Sequence, residues 1–197
     1  SALRHLLKAQ EIIKTIEHTD DQAFSVAIEI SDAYLSIRPQ NKAEQTRNLN
    51  SAENALRPYD DSESDDKLLE YRKLLIQARI KYLRKQYEDS FNLYRKAYEA
   101  LDSANQGKTT DQVATLLHEM GECAEAGDDI NTALDMYQRA YNTFCELGMN
   151  DSVKLMKPKL AQLAKLQAKL TDADEEEDNQ YSRASSSRSN SRAKKKL

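Results

Sequence analysis

A chain of 197 residues with 31% charged residues and a formal net charge of -4 can bury a core of ordinary size, and its acidity argues against wholesale attraction to nucleic acid. Four Gly and three Pro beside abundant Ala, Leu, Glu, Lys, Gln and Arg exclude turn-rich sheet folds and Gly-rich phosphate loops, and predict an all-α protein. Apolar runs fall far short of the roughly 20 residues needed to span a bilayer, and no basic start leads into an apolar core, so neither a transmembrane segment nor a signal peptide is expected.

The chain opens at Ser1 rather than methionine, a start that suits a fragment or processed product with a further domain upstream. Leu3, Leu6, Leu7, Ile13 and Ile16 recur at three- and four-residue steps and predict a first helix over Leu3 to Ile16. Thr19 followed by Gln22 reads as a capping box opening a second helix, which carries Phe24, Ala27, Ile30, Tyr34 and Ile37 and stops before Pro39. Residues 41 to 57 suit a helix but offer only Ala43, Leu49, Ala52, Ala55 and Leu56 for burial, so a thin buried stripe is expected there. Pro58 through Asp66 has loop composition and ends in acids suited to the positive end of a following helix.

The strongest pattern lies between Leu68 and Leu147. One hairpin runs Leu68 to Leu83, turns near Arg84 to Gln86, and returns through Phe91, Tyr94, Ala97, Tyr98 and Leu101. A second runs Val113 to Ala126, turns at Gly127, Asp128 and Asp129, and returns through Ile130, Ala133, Leu134, Tyr137, Ala140, Tyr141 and Phe144. Thr109 with Gln112 is expected to cap its start and Gly148 to end it. Tyr-x-x-Ser-Phe-x-x-Tyr-x-x-Ala-Tyr from Tyr87 to Tyr98 returns as Ile-x-x-Ala-Leu-x-x-Tyr-x-x-Ala-Tyr from Ile130 to Tyr141, 43 residues later, and similarity at a fixed offset marks a repeat array. The two cysteines, Cys123 and Cys145, fall among apolar helical neighbours, where reduced buried thiols are expected rather than a disulfide or metal pair.

With Leu117, Met120, Gly121 and Ala124 in its first helix and Ala133, Tyr137 and Ala140 in its second, the later hairpin resembles the tetratricopeptide repeat. Leu74, Ala78, Ser90, Tyr94 and Ala97 take the same places one hairpin earlier, whereas Gln77 and Lys81 stand where the pattern asks for apolar or aromatic residues. The offset exceeds the common repeat of about 34 residues and is similar to that of the family's long-repeat adaptors. The resemblance implies antiparallel helical hairpins stacked as a solenoid, in which Gly121 and Ala133 admit close helix approach and Tyr137 fills the gap toward the next repeat. Residues 1 to 39 resemble a third, degenerate hairpin with Pro39 at its end, and 40 to 67 match nothing well. The expected organisation is N-terminal helices over 1–57, a linker over 58–66, two hairpins over 67–149, a capping helix over 150–170 and a disordered tail over 171–197.

In such an array the first helices line a concave groove that takes an extended peptide or helix of a partner. The proposed register sends Arg72, Ile76, Arg79 and Tyr82, then His118, Glu119, Glu122 and Glu125, to that surface; the alternative is a solvated polar face. Members of the family that clamp a terminal carboxylate use Lys and Asn there, so the acidic second set argues for a partner of basic or mixed charge.

Between Lys154 and Leu170 five lysines occur with no acid, while Leu160, Leu163, Leu166 and Leu170 form an apolar stripe expected to cap the solenoid. Pro158 suits a first helical turn and marks a restart there. The alternative is contact with an acidic membrane or nucleic acid through Lys157, Lys159, Lys165 and Lys169, joined by Arg183, Arg188 and Arg192. The tail holds six acids within Asp172 to Asp178 and then a basic block, too polar to offset its ordering entropy. Ser185, Ser186, Ser187, Ser189 and Ser191 among arginines are candidate phosphorylation sites.

No catalytic constellation is present. His5, His18 and His118 are far apart, and His118-Glu119-Met120-Gly121-Glu122 lacks the second histidine of a zinc protease motif. The sequence therefore predicts a scaffold or adaptor that is not an enzyme and takes no cofactor, metal or small-molecule substrate. A ribonucleoprotein component touching RNA through the basic helix and tail, and a peripheral vesicle-trafficking adaptor, are the alternatives. The expected location is cytoplasmic, with nuclear entry through the terminal lysines.

Overall fold

The computed structural model describes residues 2–13, 20–60 and 64–170. Its helices are α1 (Ala2–Ile13), α2 (Asp20–Ser36), α3 (Lys42–Leu56), α4 (Lys67–Leu83), α5 (Tyr87–Asn105), α6 (Asp111–Ala126) and α7 (Ile130–Glu146), followed by α8 over 150–170. A 3-10 turn, Arg57–Tyr59, extends α3. No strand occurs among the described residues. None of the described helices is long and apolar enough to cross a membrane. The expected end of the first helix, the Thr19 cap and the tail over 171–197 lie outside the described residues.

At the starts of α3, α4, α6 and α7 a side chain takes up backbone N–H groups left free by the first turn. Asn41 accepts from Glu44 N at 2.9 Å, and the Glu44 carboxylate accepts in return from Gln40 N at 2.7 Å. Asp66 accepts from Leu68 N and Leu69 N, and Asp129 accepts from Thr132 N at 3.0 Å. At α6 the cap is Thr110, accepting from Val113 N at 3.3 Å, one residue beyond the expected Thr109. The spacing from cap to bonded amide is the same three residues; only the starting point differs.

The turns inside the two main hairpins are the same object made twice. Lys85 N donates to Tyr82 O and Gln86 N to Lys81 O, with Lys85 in the left-handed region at φ 62. Forty-three residues on, Asp128 N donates to Glu125 O and Asp129 N to Ala124 O, with Asp128 also at φ 62. Both are Schellman closures, which satisfy the last carbonyls of the outgoing helix while reversing the chain. Gly148, at φ 70, ends α7 in the same way, with Met149 N bonded to Phe144 O.

Pairing follows the small residues. α4 packs along α5 and α6 along α7, as the sequence predicts. The preceding hairpin, however, is α2 with α3, not residues 1 to 39. Ser31 is fully buried and donates to Ala52 O across that interface, and Ala27, Ile28, Leu49, Ala52 and Leu56 interlock around it. No described α1 side chain is buried, so α1 lies against α2 without building a core. Ile76 and Ile80 of α4 enter this first cluster, tying one hairpin to the next.

The larger core runs from Tyr71 and Ala78 through Tyr94, Leu101, Leu116, Met120 and Tyr137 into Val153, Met156 and Leu163 of α8. Hairpins are thus stacked in series, with Tyr94 and Tyr137 almost wholly buried. α8 does close the array, through Val153, Met156 and Leu163 with Leu160 partly buried against the same core, whereas Leu166 and Leu170 of the expected stripe are exposed. At 3.6 residues per turn Val153, Met156, Leu160 and Leu163 share about 80° of the helix circumference, and Leu166 lies about 60° outside that arc. The helix also continues through Pro158 without a restart. Cys123 is buried as expected, but Cys145 is exposed, because it follows Phe144 off the buried face of α7.

Candidate partner-binding groove

The inner surface is lined by α2, α4, α6 and α8, and at least one ion pair spans each step between them. Arg72 of α4 reaches Glu29 of α2 at 2.6 Å. Arg79 of α4 grips Glu119 of α6 with Nε at 2.9 Å from one carboxylate oxygen and Nη2 at 2.5 Å from the other. Lys159 of α8 meets Glu125 of α6 at 2.6 Å. Two of these carboxylates also accept a buried phenol: Tyr94 O–H donates to Glu119 at 3.1 Å and Tyr137 O–H to Glu125 at 3.0 Å.

Electrostatics keeps Arg79, Tyr94 and Tyr137 in one state near neutral pH. The hydrogen bond from Arg79 to Glu119 outweighs desolvation and holds the guanidinium more firmly protonated. Burial, then the neighbouring carboxylates, raises the Tyr94 and Tyr137 phenols, so both remain donors.

Above this floor lie two hollows. One, of about 360 Å³, lies between α2, α4 and α6 against Asp32, Leu35, Arg79, Leu83 and Glu119. The other, of about 420 Å³, lies between α6 and α8 against His118, Glu125, Leu155 and Lys159. Tyr82 and Glu122 line both, so the two are halves of one trough. Leu155 is 77% exposed and Leu83 41%, apolar surface with no covering side chain. Among the described residues Glu122 pairs only with His118 Nδ1 at 3.7 Å, and Asp32 only with Arg79 Nη1 at 3.9 Å, so both acids face the trough with loosely held charge.

All eight expected groove residues lie on the inner helices α4 and α6, and seven of them face the inner surface. Tyr82, His118, Glu122 and Glu125 line the trough, while Arg72, Arg79 and Glu119 are bound into inter-helix pairs. Ile76 is not there: it is 3% exposed and packed toward α2 and α3. Tyr137 reaches toward the next element as expected, with Lys159 Nζ 5.8 Å from its ring centroid, and the ring also covers Gly121 of its own hairpin, where a Cβ would stand 2.8 Å from ring carbon Cδ1. Asp32, Leu35, Leu83 and Leu155 were not legible as groove residues. A signal existed for α2: the 43-residue step from Glu122 to Arg79 continues to Ser36, which lines the trough too.

Of the basic set on α8, Lys157, Lys165 and Lys169 are exposed, but Lys159 turns inward to Glu125, so the four do not form one face. Arg183, Arg188, Arg192 and the serines from Ser185 to Ser191 lie outside the described residues. On the opposite side of the array a cavity of about 800 Å³ lies between α3 and α5 over α4. Several of its charges are matched internally: Lys73 with Glu70, Gln77 with Asp60, and Glu53 with Arg84.

In comparison with known families, the model described as tetratricopeptide repeat matches residues 72–146, from within α4 to the last residue of α7. No curated protein matches the chain.

Proposed function

Since residues 72–146 belong to the tetratricopeptide repeat family, whose repeats generally mediate protein–protein interaction, we propose that this chain is an adaptor whose trough receives a partner protein's segment with apolar side chains flanked by Lys or Arg. The observation that carries the reading is the juxtaposition of exposed Leu83 and Leu155 with the loosely held carboxylates of Asp32 and Glu122. Apolar anchors supply affinity and the acids select charge. Arg72 and Arg79, already paired, hold the wall and leave the selection to the acids. The reading assigns the chain no reaction of its own.

The test is fluorescence anisotropy with two synthetic peptides of equal length and apolar content, one Lys/Arg-flanked and one Asp/Glu-flanked. The basic peptide is expected to bind, with weaker affinity as salt rises and for Leu155→Asp and Glu122→Lys chains. Equal binding of both peptides, or indifference to both substitutions, would remove the trough as the site.

A further inference from the structure

We propose that the trough's resting occupant is the chain's own basic segment, residues 183–196, lying against Asp32, Glu122 and Glu125. This rests on the groove reading and names a ligand for it. Charge supplies the first argument. Along the inner face Glu29, Asp32, Glu119, Glu122 and Glu125 outnumber Arg72, Arg79 and Lys159, and the two acids without a short ion pair have side chains about half exposed, 46% for Asp32 and 49% for Glu122. The segment carries Arg183, Arg188, Arg192, Lys194, Lys195 and Lys196 and no acid.

Reach supplies the second. Lys159 marks where α8 touches Glu125, and the described helix runs 11 residues further, to residue 170, a rise of about 16 Å. The 12 residues 171–182 span up to about 40 Å when extended, enough to return Arg183 to the trough with slack. Tyr181, two residues earlier, gives the segment an aromatic for the exposed Leu155. The cavity on the other side is a poorer seat, because Lys67, Lys73, Lys81 and Lys96 balance the acids Glu53, Asp60, Glu70 and Glu99 that line it, leaving no net acidic charge.

A tethered segment competes with any outside partner at an effective concentration near millimolar, so it lowers the partner's apparent affinity without closing the site. The test titrates a labelled synthetic peptide of residues 181–197 into the full chain and into a full chain with all six basic residues of 183–196 changed to Ala. The neutralised chain is expected to bind the peptide on the order of tenfold more tightly, and adding Asp32→Lys with Glu122→Lys to both chains should abolish that difference. Equal binding to both chains, still sensitive to Glu122→Lys, overturns the inference and leaves the groove reading standing. No binding to either overturns both. A third chain, with the acids of 172–178 changed to their amides, separates the rival pairing: if that change alone abolishes the difference, the basic segment pairs with the acidic block and the proposal fails.

Discussion

Arg79 and Glu119 are 40 residues apart in sequence and joined edge to edge across neighbouring hairpins, with Tyr94 bonded to the same carboxylate. Side-chain exposures of 34% and 16% place the pair between a surface ion pair and a buried one. Removing either partner strips the other of its short ion pair in a partly dry site. Arg79→Ala and Glu119→Ala are each expected to cost about 1–3 kcal/mol. A double-mutant cycle in urea should show coupling between them; strict additivity would mean the pair is decorative.

Gly121 is a position where the array admits no side chain. A Cβ would meet three Tyr137 ring carbons at 2.8–2.9 Å, and the ring is held by the bond from its hydroxyl to Glu125. Gly121→Ala is expected to destabilise by about 1–3 kcal/mol despite the better helix propensity of Ala. Its counterpart one repeat earlier, Ala78, carries a fully buried Cβ, so the restriction is particular to the second repeat and not to the fold. Thermal unfolding monitored by circular dichroism reads the difference.

Lys85 and Asp128 hold left-handed conformations that cost a side chain strain. Lys85→Gly is expected to stabilise the chain by about 0.5–1 kcal/mol, the relief exceeding the entropy that Gly loses on folding. Asp128→Gly should gain less, since Asp tolerates this region better than Lys. An unchanged urea midpoint for Lys85→Gly would show that the turn relaxes around its lysine.

Two carboxyls lie below their usual range in the folded chain: Glu53 through its hydrogen bond with Arg84, and Asp129 through its bond with Thr132 at the start of α7. The unfolded chain therefore takes up protons first, so these bonds stabilise fully above the ordinary carboxylate range and are lost as pH falls below about 4. Stability measured from pH 6 to pH 3 should fall on the acid side, with a shallower fall for Asp129→Asn, which keeps a capping acceptor without the titration.

Glu122 is exposed and only loosely held by His118, so changing it should leave the fold intact. Glu122→Lys is expected to leave the melting temperature within about 1 °C, since exposed substitutions rarely exceed 0.5 kcal/mol. The same change should weaken the basic peptide by about tenfold, or 1.4 kcal/mol. Titration of the two chains side by side checks both halves.

The hairpins of α4 to α7 were legible because α5, α6 and α7 are amphipathic and the motif beginning at Tyr87 recurs at Ile130. Both signals are local. The pairing of α2 with α3 was not legible, because the thin apolar stripe of α3 reveals its worth only once Ser31 and Ala52 meet across the interface. Ile76 was misassigned for a related reason. α4 is covered on two sides, by the first hairpin and by α5, so its buried residues Tyr71, Ile76, Ala78 and Ile80 do not trace one face from which the groove side could be subtracted. The groove acids could be named from sequence, but which cations they had already captured depends on contacts some 40 residues away.

One ionic clasp per step along the inner rim also sets how tightly the superhelix coils. A ligand cation arriving at Glu125 competes with Lys159 for the same carboxylate, so docking at that end and unfurling of α8 from α6 become a single equilibrium. The radius of gyration from small-angle scattering should then grow with ionic strength in the unmodified chain, and Lys159→Met should blunt the response.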